Sequence, residues 1–116
     1  MSYKDTSLRR LSVRQLRARR LRLARQLPDV KIALRGSLQK QGRRCGKEGC
    51  RCSRGEPHGP YVYLAVRTEG KSRVLYVPAE LAERVRERVE ATGRIEGALA
   101  DISAVNLELL ARGKLD

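Results

Sequence analysis

The three cysteines and the single histidine of this 116-residue chain all fall between positions 45 and 58, as Cys45, Cys50, Cys52 and His58 in the string CGKEGCRCSRGEPH. Three thiolates and one imidazole make the complete ligand set of a tetrahedral Cys₃His zinc site. The spacing C-x₄-C-x-C-x₅-H is not the common C-x₂-C knuckle. Gly46, Gly49, Gly55 and Gly59, with Pro57 and Pro60, nevertheless supply the turns needed to fold four donors round one ion. Arg43, Arg44, Lys47, Arg51 and Arg54 crowd the same loop, where positive charge favours the thiolate form that binds metal. Because the site uses every Cys and His, no open coordination position is implied, and the expected Zn²⁺ is structural rather than catalytic.

Other readings of these residues account for less. Three cysteines cannot pair evenly, and a Cys50–Cys52 disulfide across one residue would be strained. Incidental burial is disfavoured by neighbours that are Gly, Lys, Arg and Ser. A reactive cysteine paired with His58 is the main competitor; it leaves two cysteines unexplained and only Glu48 or Glu56 as orienting acid. Water or Glu56 in place of His58 is a variant of the same metal site.

The elements that position this loop must come from a chain poor in core material, with no Phe, no Trp and four Tyr, for which a metal staple is a natural supplement. The length suits one domain. No apolar run is long enough to span a membrane, no signal peptide opens the chain, and cysteines kept as metal ligands point to a reducing cytoplasm.

The net charge of +13 is unevenly placed. Residues 1–58 carry seventeen Lys or Arg against four acids, whereas residues 59–116 carry nine of each. Between Thr6 and Pro28 lie Arg9, Arg10, Arg14, Arg17, Arg19, Arg20, Arg22 and Arg25, without one acid. Like charges on a helix repel, so this concentration argues for a polyanionic partner, and guanidinium suits bidentate contact with phosphate. Nucleic acid is the expected polyanion. An anionic membrane surface competes, but the helix offers no Trp or Phe as an interfacial anchor; an acidic protein partner is the third alternative.

Periodicity predicts an α+β fold. A basic N-terminal helix spans 7–26, capped by Ser7 and stopped by Pro28, with Val13, Leu16, Leu23 and Leu27 on one arc. Residues 29–41 read as a short helix, with a strand at Val30-Lys31-Ile32 as the alternative. The zinc loop covers 45–60. A two-stranded antiparallel hairpin covers 61–78, turning at Thr68-Glu69-Gly70-Lys71, with Val62, Leu64 and Val66 on one face and Tyr61 and Tyr63 on the other. The tyrosines either stack on bases or cover the metal loop, and cover is favoured because large residues are so few. A long helix over 79–112, continuous or broken near Gly93 and Gly97, places Leu81, Val85, Ile95, Leu99, Ile102 and Leu109 in one heptad register with Asn106 at an a position. That seam serves either the N-terminal helix or a second copy, giving a homodimer.

The string from Arg35 to Pro78, with R-G-S-L, R-C-G-x-x-x-C-R-C-x-x-G-x-x-H-G-P-Y-x-Y-L and a closing Y-V-P, resembles a family of small prokaryotic proteins known only as a domain of unknown function. Gly36, Cys45, Cys50, Cys52, His58, Gly59, Pro60, Tyr61 and Tyr63 carry the resemblance, which extends over about the last eighty residues. It implies the fold and the metal site and brings no activity.

The expected function is therefore a zinc-stabilised nucleic-acid binder for DNA or RNA, dominated by phosphate contacts from Arg10, Arg14, Arg17, Arg22, Arg25, Arg43, Arg44, Lys47, Arg51 and Arg54. No carboxylate pair near a base, phosphate loop or spare histidine points to an enzyme. The alternative is an interaction adaptor whose C-terminal helix recruits a larger nucleic-acid enzyme.

Overall fold

The computed structural model describes residues 7–43, 49, 55 and 58–116, in the order α1 (Val13–Arg25), a 3₁₀ turn (Val30–Ile32), β1 (Ser37–Arg43), β2 (His58–Thr68), β3 (Lys71–Val77) and α2 (Ala79–Ala111). The three strands form one antiparallel sheet in the order β1-β2-β3. The chain divides into two compact units, Met1–Lys31 with Thr92–Asp116, and Ile32–Ala91.

In the first unit, α1 begins later than its composition suggests. The Ser12 side chain accepts from the Gln15 amide at 3.1 Å, and the Gln15 side chain accepts from the Ser12 amide at 2.9 Å, a complete capping box. Residues 7–9 form a separate helical turn, so Ser7 does not cap this helix. The Gln26 amide closes α1 on the Leu23 carbonyl at 3.2 Å, two residues before Pro28. Leu16 is fully buried among Leu8, Val105 and Leu109, with Leu11, Val13 and Ala104 packed round them.

α2 runs unbroken through Gly93 and Gly97, at both of which an added Cβ would meet open space. It ends in a Schellman motif, in which Lys114 N–H reaches the Leu109 carbonyl at 2.8 Å and Gly113 N–H the Leu110 carbonyl at 2.9 Å. The Arg112 guanidinium then reaches back to the carbonyls of Leu11 (2.7 Å), Arg9 (3.1 Å) and Leu8 (3.2 Å), while Glu108 braces it at 2.8 Å. It supplies a donor to the carbonyls of Arg9 and Leu11 and a second one to that of Leu8, which also accepts the Leu11 amide at 3.1 Å. Val105 and Leu109 thus serve this core rather than a partner copy, and Asn106 accepts from Arg20 at 2.7 Å instead of setting a coiled-coil register.

The second unit holds the sheet. The β2–β3 hairpin closes as expected: Thr68 pairs with Lys71, and Glu69 (φ 51°) and Gly70 (φ 76°) make the two-residue loop, whose positive φ values match the twist of the strands. The third strand corrects the expectation for 29–41. The Asp29 side chain accepts the Lys31 amide at 3.1 Å and fixes a local turn, so no helix propagates from it. Ser37–Arg43 then pairs along β2, with Leu38 opposite Leu64. Leu64 and Val77 are buried on one side of the sheet and Tyr63 on the other.

Candidate nucleic-acid interface and metal loop

Of the proposed metal ligands, Cys45, Cys50 and Cys52 lie outside the described residues. His58 is half-buried at the first position of β2 and is paired in register with Arg43, the last residue of β1. Two residues of β2, Gly59 and Pro60, stand opposite the single Gly42, and the register shifts there. Pro60 cannot donate to the ladder, which suits such an irregularity. Gly59 (φ 109°) has no room for a side chain, since a Cβ would come within 2.7 Å of the Tyr61 nitrogen. The β1–β2 ladder therefore closes at the two residues that bracket the cysteine segment, with His58 on one stem. Among the described residues no cluster of three or more His, Cys, Asp or Glu occurs.

The structure divides the sequence-predicted arginines. Arg14, Arg22 and Arg25 are exposed on α1, within an arc of about 80° centred opposite Leu16 at helical spacing. Together with exposed Arg10, their side chains have no hydrogen-bond or ion-pair partner among the described residues. Arg17, in contrast, donates to the carbonyls of Lys114 (3.3 Å) and Asp116 (2.7 Å). Its neighbour Arg20 is held by Asn106 and by the Leu115 carbonyl at 3.2 Å. These two arginines fasten the C-terminal residues to α1, so that Arg17, unlike Arg14, Arg22 and Arg25, has partners among the described residues. Arg43 closes β1; Arg44, Lys47, Arg51 and Arg54 lie outside the described residues. Arg22 also borders a pocket of about 430 Å³ with Arg19, Leu23 and Asp101.

One cation of α2 is held differently. Arg86 is bridged by Glu83 one turn before it and by Glu90 one turn after it at 2.7 Å. The Glu83 hydrogen bond, with that of Glu90, raises the guanidinium pKa further above its usual value, and the Arg86 hydrogen bond lowers that of Glu83. Arg86 is thus neutralised within its own helix, whereas α1 has no acid with which to do so.

Sequence reasoning passes over the cations of the strands, Lys40, Arg67, Lys71 and Arg73, since no strand segment holds more than two cations. Only strand pairing gathers them onto one sheet.

A basic helix with one buried stripe, a three-stranded antiparallel sheet and a long capped helix define a small α+β protein. The chain belongs to the family described as Domain of unknown function (DUF6788), which it matches over residues 13–87. The match takes in the whole of α1, which the motif resemblance did not reach, and stops within the first third of α2. Neither the curated proteins nor the solved structures contain a match to the chain. No helix is long and apolar enough to cross a membrane among the described residues.

Proposed function

We propose that this protein binds nucleic acid through its phosphates, with Arg10, Arg14, Arg22 and Arg25 as the main contacts in the first unit and a zinc loop in the second. The observation that carries this reading is the face of α1: three exposed arginines without partners among the described residues, on a helix with no acid, opposite a fully buried leucine. Unpaired guanidinium groups on one face gain most from an anion that presents several charges at once, and the phosphate backbone does so. Arg14 and Arg25 lie eleven residues apart, about 16 Å along the helix axis. Over that length a duplex presents roughly ten phosphates.

Cys45, Cys50, Cys52 and His58 are the ligands we assign to Zn²⁺. In the bound state they would hold the cysteine segment to the β1–β2 stem and fix Arg43, Arg44, Lys47, Arg51 and Arg54 near one another. Titration of the purified protein against random-sequence DNA and RNA at increasing salt tests the reading. The binder loses affinity steeply, with a linear log–log dependence. Absence of binding at low salt would end the proposal.

A second reading, the adaptor, is favoured by a groove of about 260 Å³ on α2, bordered by Leu99, Ile102, Leu107, Leu110 and Leu115. Leu99, Leu107 and Leu110 are each more than half exposed. This face, rather than Val105 and Leu109, is the one that a homodimer or a recruited enzyme would cover. Light scattering at micromolar concentration distinguishes a dimer from a monomer.

A further inference from the structure

We propose that the tyrosine face of the sheet is a stacking surface for the unpaired bases of single-stranded nucleic acid. The proposal rests on the nucleic-acid reading above and adds to it the strandedness of the ligand and the residues that sense it.

Strand register puts Tyr61 and Tyr63 of β2 and Tyr76 of β3 on the same face, with Tyr63 opposite Tyr76 on one side and Gln39 on the other, and Tyr61 opposite Gln41. The rings of Tyr63 and Tyr76 are 5.8 Å apart and those of Tyr61 and Tyr76 6.4 Å apart, both edge-to-face. The three have graded exposure: Tyr63 is 8% exposed, Tyr61 is half-buried and Tyr76 is 56% exposed. Tyr63 is thus the floor of the cluster, and it steadies an outer ring that has no core to fill. A ring held in place this way offers a π-face to a ligand at little further entropic cost. Gln39 and Gln41, both exposed beside the rings, carry amides that suit the edges of bases.

Charge identifies the occupant. The three strands contain no acid, and of their cations Lys40, Lys71 and Arg73 fall by register on the opposite face, with Val62, Leu64 and Val66. Arg67 shares the tyrosine face, its guanidinium near the Ser72 hydroxyl at 3.3 Å, about 13 Å along β2 from Tyr63. A second copy of this surface would bring no acid to pair Arg67, since the strands contain none. A nucleic-acid strand instead supplies a phosphate for Arg67 and splayed bases for the rings. In a duplex the base faces are already stacked and out of reach, so this surface favours the unpaired strand.

The test uses the full chain with an end-labelled oligothymidine and a duplex of the same length, at low salt. Because the chain has no Trp, its tyrosine emission reports directly on stacking. The single strand is expected to quench that emission. Tyr76→Leu should weaken single-strand binding by about 5- to 150-fold and leave duplex binding unchanged, while Tyr76→Phe retains both. Unquenched emission, or equal effects of Tyr76→Leu on the two polymers, would overturn the stacking surface while salt-dependent binding itself survives. Failure of the unaltered protein to bind either polymer would remove the nucleic-acid reading and this inference with it.

Discussion

Replacing Arg14, Arg22 and Arg25 together with Gln separates binding from folding, because these side chains have no polar partner among the described residues while Arg17, Arg20 and Arg112 hold the first unit together. Removing one phosphate-binding arginine should reduce the log–log salt slope by about 0.7 on a single strand and about 0.9 on a duplex, so the triple variant should fall short of the unaltered protein by roughly 2 to 3 in slope. Between 50 and 200 mM salt the unaltered protein should therefore lose about 20- to 40-fold more affinity than the variant does. Anisotropy titrations at four or five salt concentrations measure both slopes, and thermal unfolding checks that the fold is intact. Arg17→Gln is the counterpart: it should change the slope little and lower the melting temperature, because its hydrogen bonds to the Lys114 and Asp116 carbonyls disappear. A correctly folded triple variant with an unchanged slope would refute the assignment of α1 to phosphate and place phosphate binding on the cysteine segment.

Gly93→Ala and Gly97→Ala should each stabilise the protein by about 0.5–1 kcal/mol in thermal melts, since both sites are helical with open space at the Cβ position. Leu16→Ala, which empties the centre of the first core, should cost about 2–5 kcal/mol in denaturant titrations, whereas Leu107→Ala on the exposed face should cost under about 0.5 kcal/mol in a monomer. Glu69→Asn should stabilise the hairpin by a few tenths of a kcal/mol, because Asn tolerates the positive φ at that position better; a lower melting temperature would contradict the turn assignment. Elemental analysis should find one zinc per chain in the unaltered protein and none in Cys50→Ser, and a metal-free protein that is fully folded would remove the zinc loop from the proposal.

Most of the fold is legible where periodicity and turn chemistry agree. Glu69-Gly70 between two runs rich in Val and Tyr specifies the hairpin, and Leu16 and Leu23 mark the inner side of α1, with Leu27 just past its end. β1 escapes because SLQKQGR is an edge strand with exposed polar residues, Leu38 being its one apolar residue, so pairing rather than pattern defines it. The start of α1 is easily misplaced because Ser7 and Ser12 both qualify as caps, and only Ser12 has a Gln three residues on. The heptad on α2 includes Leu109 but leaves its partner open between the N-terminal helix and a second copy. Leu109, with Val105 beside it, meets Leu8 and Leu16, and a long-range contact of that kind cannot be chosen from the helix's own spacing. The same limit hides the role of Arg17, whose charge is readable and whose partners, ninety-seven and ninety-nine residues away, are not.

The lacing of Arg17, Arg20 and Arg112 across the first unit has a bearing on how the protein is made. α1 leaves the ribosome well before the residues that bury Leu16 and cap the carbonyls of Leu8, Arg9 and Leu11 have been synthesised. At the usual elongation rates the delay between Arg17 and Arg112 is roughly 5–20 s. The contiguous Ile32–Ala91 unit has all its strands during that interval and is free to fold, while the arginine helix must wait beside ribosomal RNA with its leucines uncovered. Synthesis of the second half of α2 is then the step that turns a nascent basic segment into a finished surface, so translation stalled before Val105 should yield a chain that holds to ribosomes far more tightly than the completed protein.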